Sequence, residues 1–163
     1  MAGITGIFAQ IRIVLPWTPV PITGQVLAVL LSGIFLGNLY GGLSMALYLI
    51  LGFAGIPWFS GGTSGFFIGP TTGYLIGFIP AALFIGWAFR RATNYMVQIG
   101  SMLAAIAIIY FLGTCHFIFF TKIGLKQALI MTVVPFIPFD IIKGVIAASI
   151  GRLITIGQAH TGS

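Results

Sequence analysis

Asp140 is the only acidic residue in a chain of 163, and Lys143 follows it by three positions inside the otherwise apolar stretch "VVPFIPFDIIKGVIAAS". In a helix this spacing puts the two side chains on one face. An ionisable side chain at membrane depth costs about 2.5–3.5 kcal/mol on insertion scales, and such residues usually face an interior cavity. An opposite charge lowers that desolvation cost without abolishing it. Two readings follow. In one the pair is a neutralised packing element, with Asp140 also favoured by a helix N-terminus just after Pro138. In the other it meets a polar ligand, Asp140 accepting N–H donors and Lys143 donating to a carbonyl or carboxylate oxygen. The ligand reading is preferred, because apolar residues would serve packing alone at lower cost. A proton relay would want further acids or intramembrane histidines.

The second constellation is "GGTSGFFIGPTTGY", residues 61–74. Gly62, Ser64, Gly65 and Gly69 spell G-x-S-G-x-x-x-G, the pattern around the nucleophile of rhomboid-type intramembrane proteases. That chemistry needs the serine at the start of a helix and a histidine on a neighbouring helix to take its proton. Pro70 interrupts the helix Ser64 would begin, His160 lies in the polar tail, and His116 lies near the end of an apolar segment in "GTCHFIFF". An intramembrane serine hydrolase using Ser64 is therefore the minor reading. A loop explains more of the residues: Gly61, Gly62 and Gly65 allow positive φ and close backbone approach. Non-helical backbone at membrane depth is tolerated where it is buried in protein or lines a cavity, so this loop is expected to line one.

The elements that carry these residues must be membrane helices. The chain is 59% hydrophobic and 5% charged, and no charge falls between Arg12 and Arg90. One spanning helix needs about 20 apolar residues, so that interval crosses the bilayer several times. A cleavable signal peptide would account for one short segment only. The net charge of +6 comes from basic residues at the ends of hydrophobic runs, Arg90 with Arg91, Lys122 with Lys126, and Arg152. Such placement suits anchoring at lipid headgroups rather than nucleic-acid binding. Cys115 is the only cysteine, which excludes a disulfide or cysteine metal site within the chain.

Gly, Pro, Asn and charge divide the sequence into six helical segments: residues 2–15, 25–36, 43–53, 72–89, 95–120 and 138–156, with a short helix over 126–134. "PWTPVPIT" at 16–23 reads as an ordered loop, and "GNLYGG" at 37–42 as a tight helix-reversing turn. The whole is one transmembrane domain, an all-α bundle of six transmembrane helices with ordered loops after helices 1, 3 and 5. Residues 155–163 read as a flexible polar tail.

Four stretches in this order resemble the BioY family, the biotin-specific substrate-capture S components of energy-coupling factor (ECF) vitamin transporters. They are "VPITGQVLAVLLSGIFLG" at 20–37, "GGLSMALYLILGFAGIPWFSGG" at 41–62, "GPTTGYLIGF" at 69–78 and "PFIPFDIIKG" at 135–144. The resemblance implies a six-helix bundle in the prokaryotic cytoplasmic membrane, with a vitamin site near the outer surface closed by the loops after helices one and three. Carried over by position, Thr23 and Gln25 belong to the first loop and its junction with helix two. Gly61, Gly62, Thr71, Gly73 and Tyr74 belong to the second loop. Asp140 and Lys143 look like the family's Asp-x-x-Lys pair, holding polar groups of biotin while Phe59 and its neighbours cover the apolar ring and chain. Another vitamin is the alternative ligand.

Ala2 and Gly6 match the four-residue spacing of small residues by which such components contact a transmembrane coupling subunit, and equally match internal helix packing. Phe139 stands before Asp140 where the family more often has a small residue, and its bulk could narrow the site. No G-x-x-x-x-G-K-[ST] occurs, so ATP is expected to act only through ABC-type ATPase partner subunits, with biotin the transported ligand and no cofactor bound.

Overall fold

The computed structural model describes residues 1–65, 69–92 and 94–161, with side chains described through residue 154. Phe66, Phe67 and Ile68 of the expected loop, and Gly162 and Ser163 of the expected tail, lie outside the described residues. Among the described residues six helices run in order: α1 (Ala2–Gln10), α2 (Gln25–Phe53), α3 (Thr72–Arg91), α4 (Tyr95–Thr121), α5 (Leu125–Thr132) and α6 (Ile137–Thr161). Between α1 and α2 a small antiparallel ribbon pairs β1 (Arg12–Ile13) with β2 (Ile22–Thr23).

The course of α2 depends on one glycine. Gly37 takes φ 78° and ψ −174°, a region that is essentially glycine-only, and the chain reverses there. Gln25 Nε2 accordingly donates to Tyr48 Oη at 2.8 Å, two residues that a straight helix would hold about 35 Å apart. Ser32 Oγ likewise donates to the carbonyl of Gly41 at 3.3 Å. The two antiparallel arms of α2 thus correspond to the expected second and third segments. The turn is tighter than the expected 37–42, since helix resumes directly after Gly37.

Two other boundaries differ from expectation. α1 ends at Gln10 rather than Leu15, because the β-branched Ile11, Ile13 and Val14 favour extended backbone and Pro16 bars Leu15 from helix. Arg12 and Ile13 instead form the ribbon with Ile22 and Thr23, and its end is tied by the Gly24 amide donating to the Ile11 carbonyl at 2.9 Å. At the other terminus α6 runs on to Thr161, so 155–161 is helix rather than tail.

α3 and α4 are each long and apolar enough to cross a membrane, α2 is apolar along both of its shorter antiparallel arms, and α5 with residues 137–154 of α6 qualifies as one span bent by 54°. The fold is an all-α, multi-pass membrane bundle. Its helices approach through glycines, as membrane packing favours. A Cβ at Gly86 would run into the backbone of Gly37 and Asn38, and one at Gly113 into the Tyr74 ring. Outward-facing Ile50, Phe111 and Phe119 present apolar surface to lipid. At the end where α3 passes to α4, Arg91 lies 4.5 Å over the Trp87 ring and Arg152 lies 5.3 Å over Tyr95, cation–aromatic pairs suited to the interface. The opposite end gathers the ribbon and the starts of α2, α3 and α6.

Candidate ligand-binding site

α6 starts at that opposite end, and its first turns carry Asp140 and Lys143 inward. Asp140 is 3% exposed. Its Oδ1 accepts from Lys143 Nζ at 2.6 Å, and its Oδ2 accepts from Tyr110 Oη at 2.7 Å. Lys143 Nζ also donates to the carbonyl of Thr23 at 2.7 Å, which ties α6 to the β2 strand. A lysine ammonium has three protons, so one donor is left. The carboxylate is held from both sides by a cation and a phenol, and the pair is neutral as a unit.

Around the pair lies a cavity of about 490 Å³, within the size range of small-molecule sites. The segment 11–24 contributes Val20, Pro21 and Thr23; α2 contributes Gln25, Val26 and Phe53; the segment after α2 contributes Phe59, Ser60, Thr63 and Ser64. α3 and the residues before it supply Thr71, Tyr74 and Phe78, and α4 supplies Ile109 and Tyr110. The walls are therefore aromatic and aliphatic with a few polar groups at one side, the pattern that buries a largely apolar ligand and fixes its orientation. Ser60 Oγ is buried without a protein partner. Such a hydroxyl in a cavity wall is available to a bound acceptor or donor.

Of the residues singled out in the sequence, Asp140, Lys143, Thr23, Gln25, Phe59, Thr71 and Tyr74 all line this one cavity. Several are set by their own contacts. Gln25 accepts from Thr23 Oγ1 at 2.9 Å while donating to Tyr48, so its amide is oriented before any ligand arrives. Tyr74 donates to the carbonyl of Thr132 at 3.2 Å, and Phe59 stands edge-on to Tyr48 and Phe53.

Gly61, Gly62 and Gly73 are not among the wall residues. Gly61 and Gly62 have φ of 79° and 70° and shape the turn behind Phe59 and Ser60. Gly73 lets α3 close onto α4, since a Cβ there would collide with His116. Ala2 and Gly6 face inward together with Thr5 and Ala9. A Cβ on Gly6 would lie 3.0 Å from that of Trp58. Their four-residue spacing therefore serves packing of α1 inside this chain. Phe139 is 42% exposed, points away from the cavity, and does not narrow it.

Ser64 lines the cavity but lies outside any helix, and no histidine is among the cavity's wall residues. His116 instead packs over Gly73 and stacks on Phe120. His160 lies about 30 Å along α6 from Asp140, so the serine lacks the base that its chemistry needs.

Tyr110 and Tyr48 were not singled out by sequence reasoning. A tyrosine within an apolar span needs a partner for its hydroxyl, and with one acid in the chain Asp140 was an available acceptor for Tyr110. Tyr48 makes a double tie: its hydroxyl donates to the Trp58 carbonyl at 3.2 Å, and Trp58 Nε1 returns a bond to the Tyr48 carbonyl at 3.0 Å. That tie fixes the segment carrying Phe59 onto α2.

The model of the BioY family matches residues 1–158. A biotin transporter BioY of Thermotoga maritima is 39% identical over 152 residues, covering 89% of each chain. Another of Rhodobacter capsulatus is 36% identical over 170 residues, covering 91% of this chain and 90% of that one. Among solved structures, the crystal structure of the S-component for biotin from an ECF-type ABC transporter superposes with a TM-score of 0.86 at 29% identity. It covers 94% of this chain and 86% of that chain.

Proposed function

Because this chain belongs to the BioY family, we propose that it captures biotin in the cavity around Asp140 and Lys143 and serves its uptake as the S component of an ECF-type transporter. The observation that carries the reading is the convergence of the buried Asp140–Lys143 pair with an apolar cavity of about 490 Å³, in a chain similar throughout to biotin transporters. Biotin offers a urea-type ring, a thioether, an aliphatic chain and a carboxylate. The carboxylate of Asp140 suits ring N–H groups, the remaining proton of Lys143 suits a carbonyl oxygen, and Phe59 with Phe53 and Phe78 suits the sulfur-bearing ring and chain.

The chain is a transport component and not an enzyme. It binds no cofactor of its own, and ATP acts through ABC-type ATPase subunits joined to it by a transmembrane coupling subunit. It resides in the prokaryotic cell membrane. Two measurements test the reading. Purified protein offered a panel of vitamins should bind biotin in the nanomolar to low micromolar range and the others at least about a hundredfold more weakly. Tighter binding of a different vitamin would reassign the cargo. Uptake of labelled biotin in cells lacking other biotin transporters should rise when the coupling and ATPase subunits are supplied; uptake indifferent to them would mark a stand-alone carrier.

A further inference from the structure

On the biotin reading just given, the cavity's own charges do not account for the ligand's carboxylate. Asp140 and Lys143 cancel each other, and Asp140 is the only acid in the chain. An anion entering beside them would meet a neutral pair whose carboxylate repels it. A buried or half-buried anion needs a partner of its own. We infer that Arg12 is that partner: its guanidinium recognises the ligand's carboxylate at the cavity rim and makes the site selective for an anion.

The position of Arg12 supports this. In the ribbon it is the register partner of Thr23, the residue whose side chain lines the cavity and whose carbonyl is held by Lys143. Its guanidinium reaches across to the other rim segment and lies against Gly61, where a Cβ would collide with Nη1. Gly61 directly follows Ser60, which lines the cavity and carries the unpartnered hydroxyl. Arg12, itself just outside the residues that line the cavity, thus bridges the two wall segments that carry Thr23 and Ser60. It is exposed, and the chain's one acidic side chain, Asp140, is already engaged by Lys143 and Tyr110. A free planar guanidinium with five donors is the side chain best matched to a carboxylate. The arrangement gives the ligand a direction, with the ring inward toward Asp140 and Lys143 and the carboxylate outward.

The test compares biotin with biotinamide, which replaces the carboxylate by a neutral carboxamide, in equilibrium titrations of purified wild type, Arg12→Gln and Arg12→Lys. Wild type should prefer biotin by about tenfold or more, and Arg12→Gln should lose that preference by weakening biotin while leaving biotinamide within about twofold. Arg12→Lys should recover part of the preference, and added salt should weaken biotin binding to wild type more than to Arg12→Gln. Equal loss of both ligands in Arg12→Gln would make Arg12 a strut of the rim, and unchanged binding of both would make it a headgroup anchor; either overturns the inference. A wild type that binds neither ligand would overturn the biotin reading itself, and the inference with it.

Discussion

At the scale of single residues, the site is organised by what holds Asp140. Lys143 supplies the countercharge and Tyr110 the second hydrogen bond, so the carboxylate is held in a fixed position beside the cavity. Tyr110→Phe removes one donor without changing the packed shape. A hydrogen bond to a charged group is worth about 1.5–3 kcal/mol, so biotin affinity should fall by at least about tenfold, with thermal unfolding in detergent close to wild type. Unchanged affinity would show that Lys143 alone positions the acid. The pair itself was legible in the sequence because one acid and one base stand three residues apart in an apolar run. Tyr110 was not, because its role depends on α4 and α6 lying side by side, a contact that no local pattern encodes.

At the scale of elements, small residues decide how closely helices approach, and two of them invite direct tests. Gly37→Ala forces a side chain into a conformation costing about 1–3 kcal/mol, at a point where Arg90 Nη2 would lie 2.8 Å from the new carbon. The midpoint of thermal unfolding should drop by several degrees; a midpoint unchanged would mean that the reversal of α2 does not need the glycine. Gly6→Leu overfills the contact of α1 with Trp58, which costs about 1–3 kcal/mol in packed interiors. It should lower the unfolding midpoint of the isolated chain. Loss of partner assembly with an unchanged midpoint would restore Gly6 to an outer surface. The small-residue spacing was visible in the sequence, but which side of α1 it faced was not, since Trp58 is distant in the chain. The end of α1 was partly readable: Pro16 and the β-branched residues before it argue for extended chain, and the ribbon partner at 22–23 provides the hydrogen bonds.

At the scale of the whole molecule, a hydrophobic bundle with a single internal ion pair presents its polar groups where the ribbon, the segment after α2 and the starts of α3 and α6 meet. Composition alone was enough for a multi-pass membrane fold, because charges are absent over so long an interval. The cavity was legible only in outline: the glycine-rich stretch at 61–65 was expected to line it, and Ser64 and Gly65 do, while Gly61 and Gly62 form the turn behind. The proposed function has this chain hold biotin through Asp140 and Lys143. Titration of the purified protein with biotin, set beside Asp140→Asn and Lys143→Ala variants whose folding is checked by thermal unfolding, tests it most directly. Wild type should bind in the nanomolar to low micromolar range, and each variant should lose at least about a hundredfold, the scale of breaking a buried charged pair. Wild-type affinity in folded forms of both variants would contradict it.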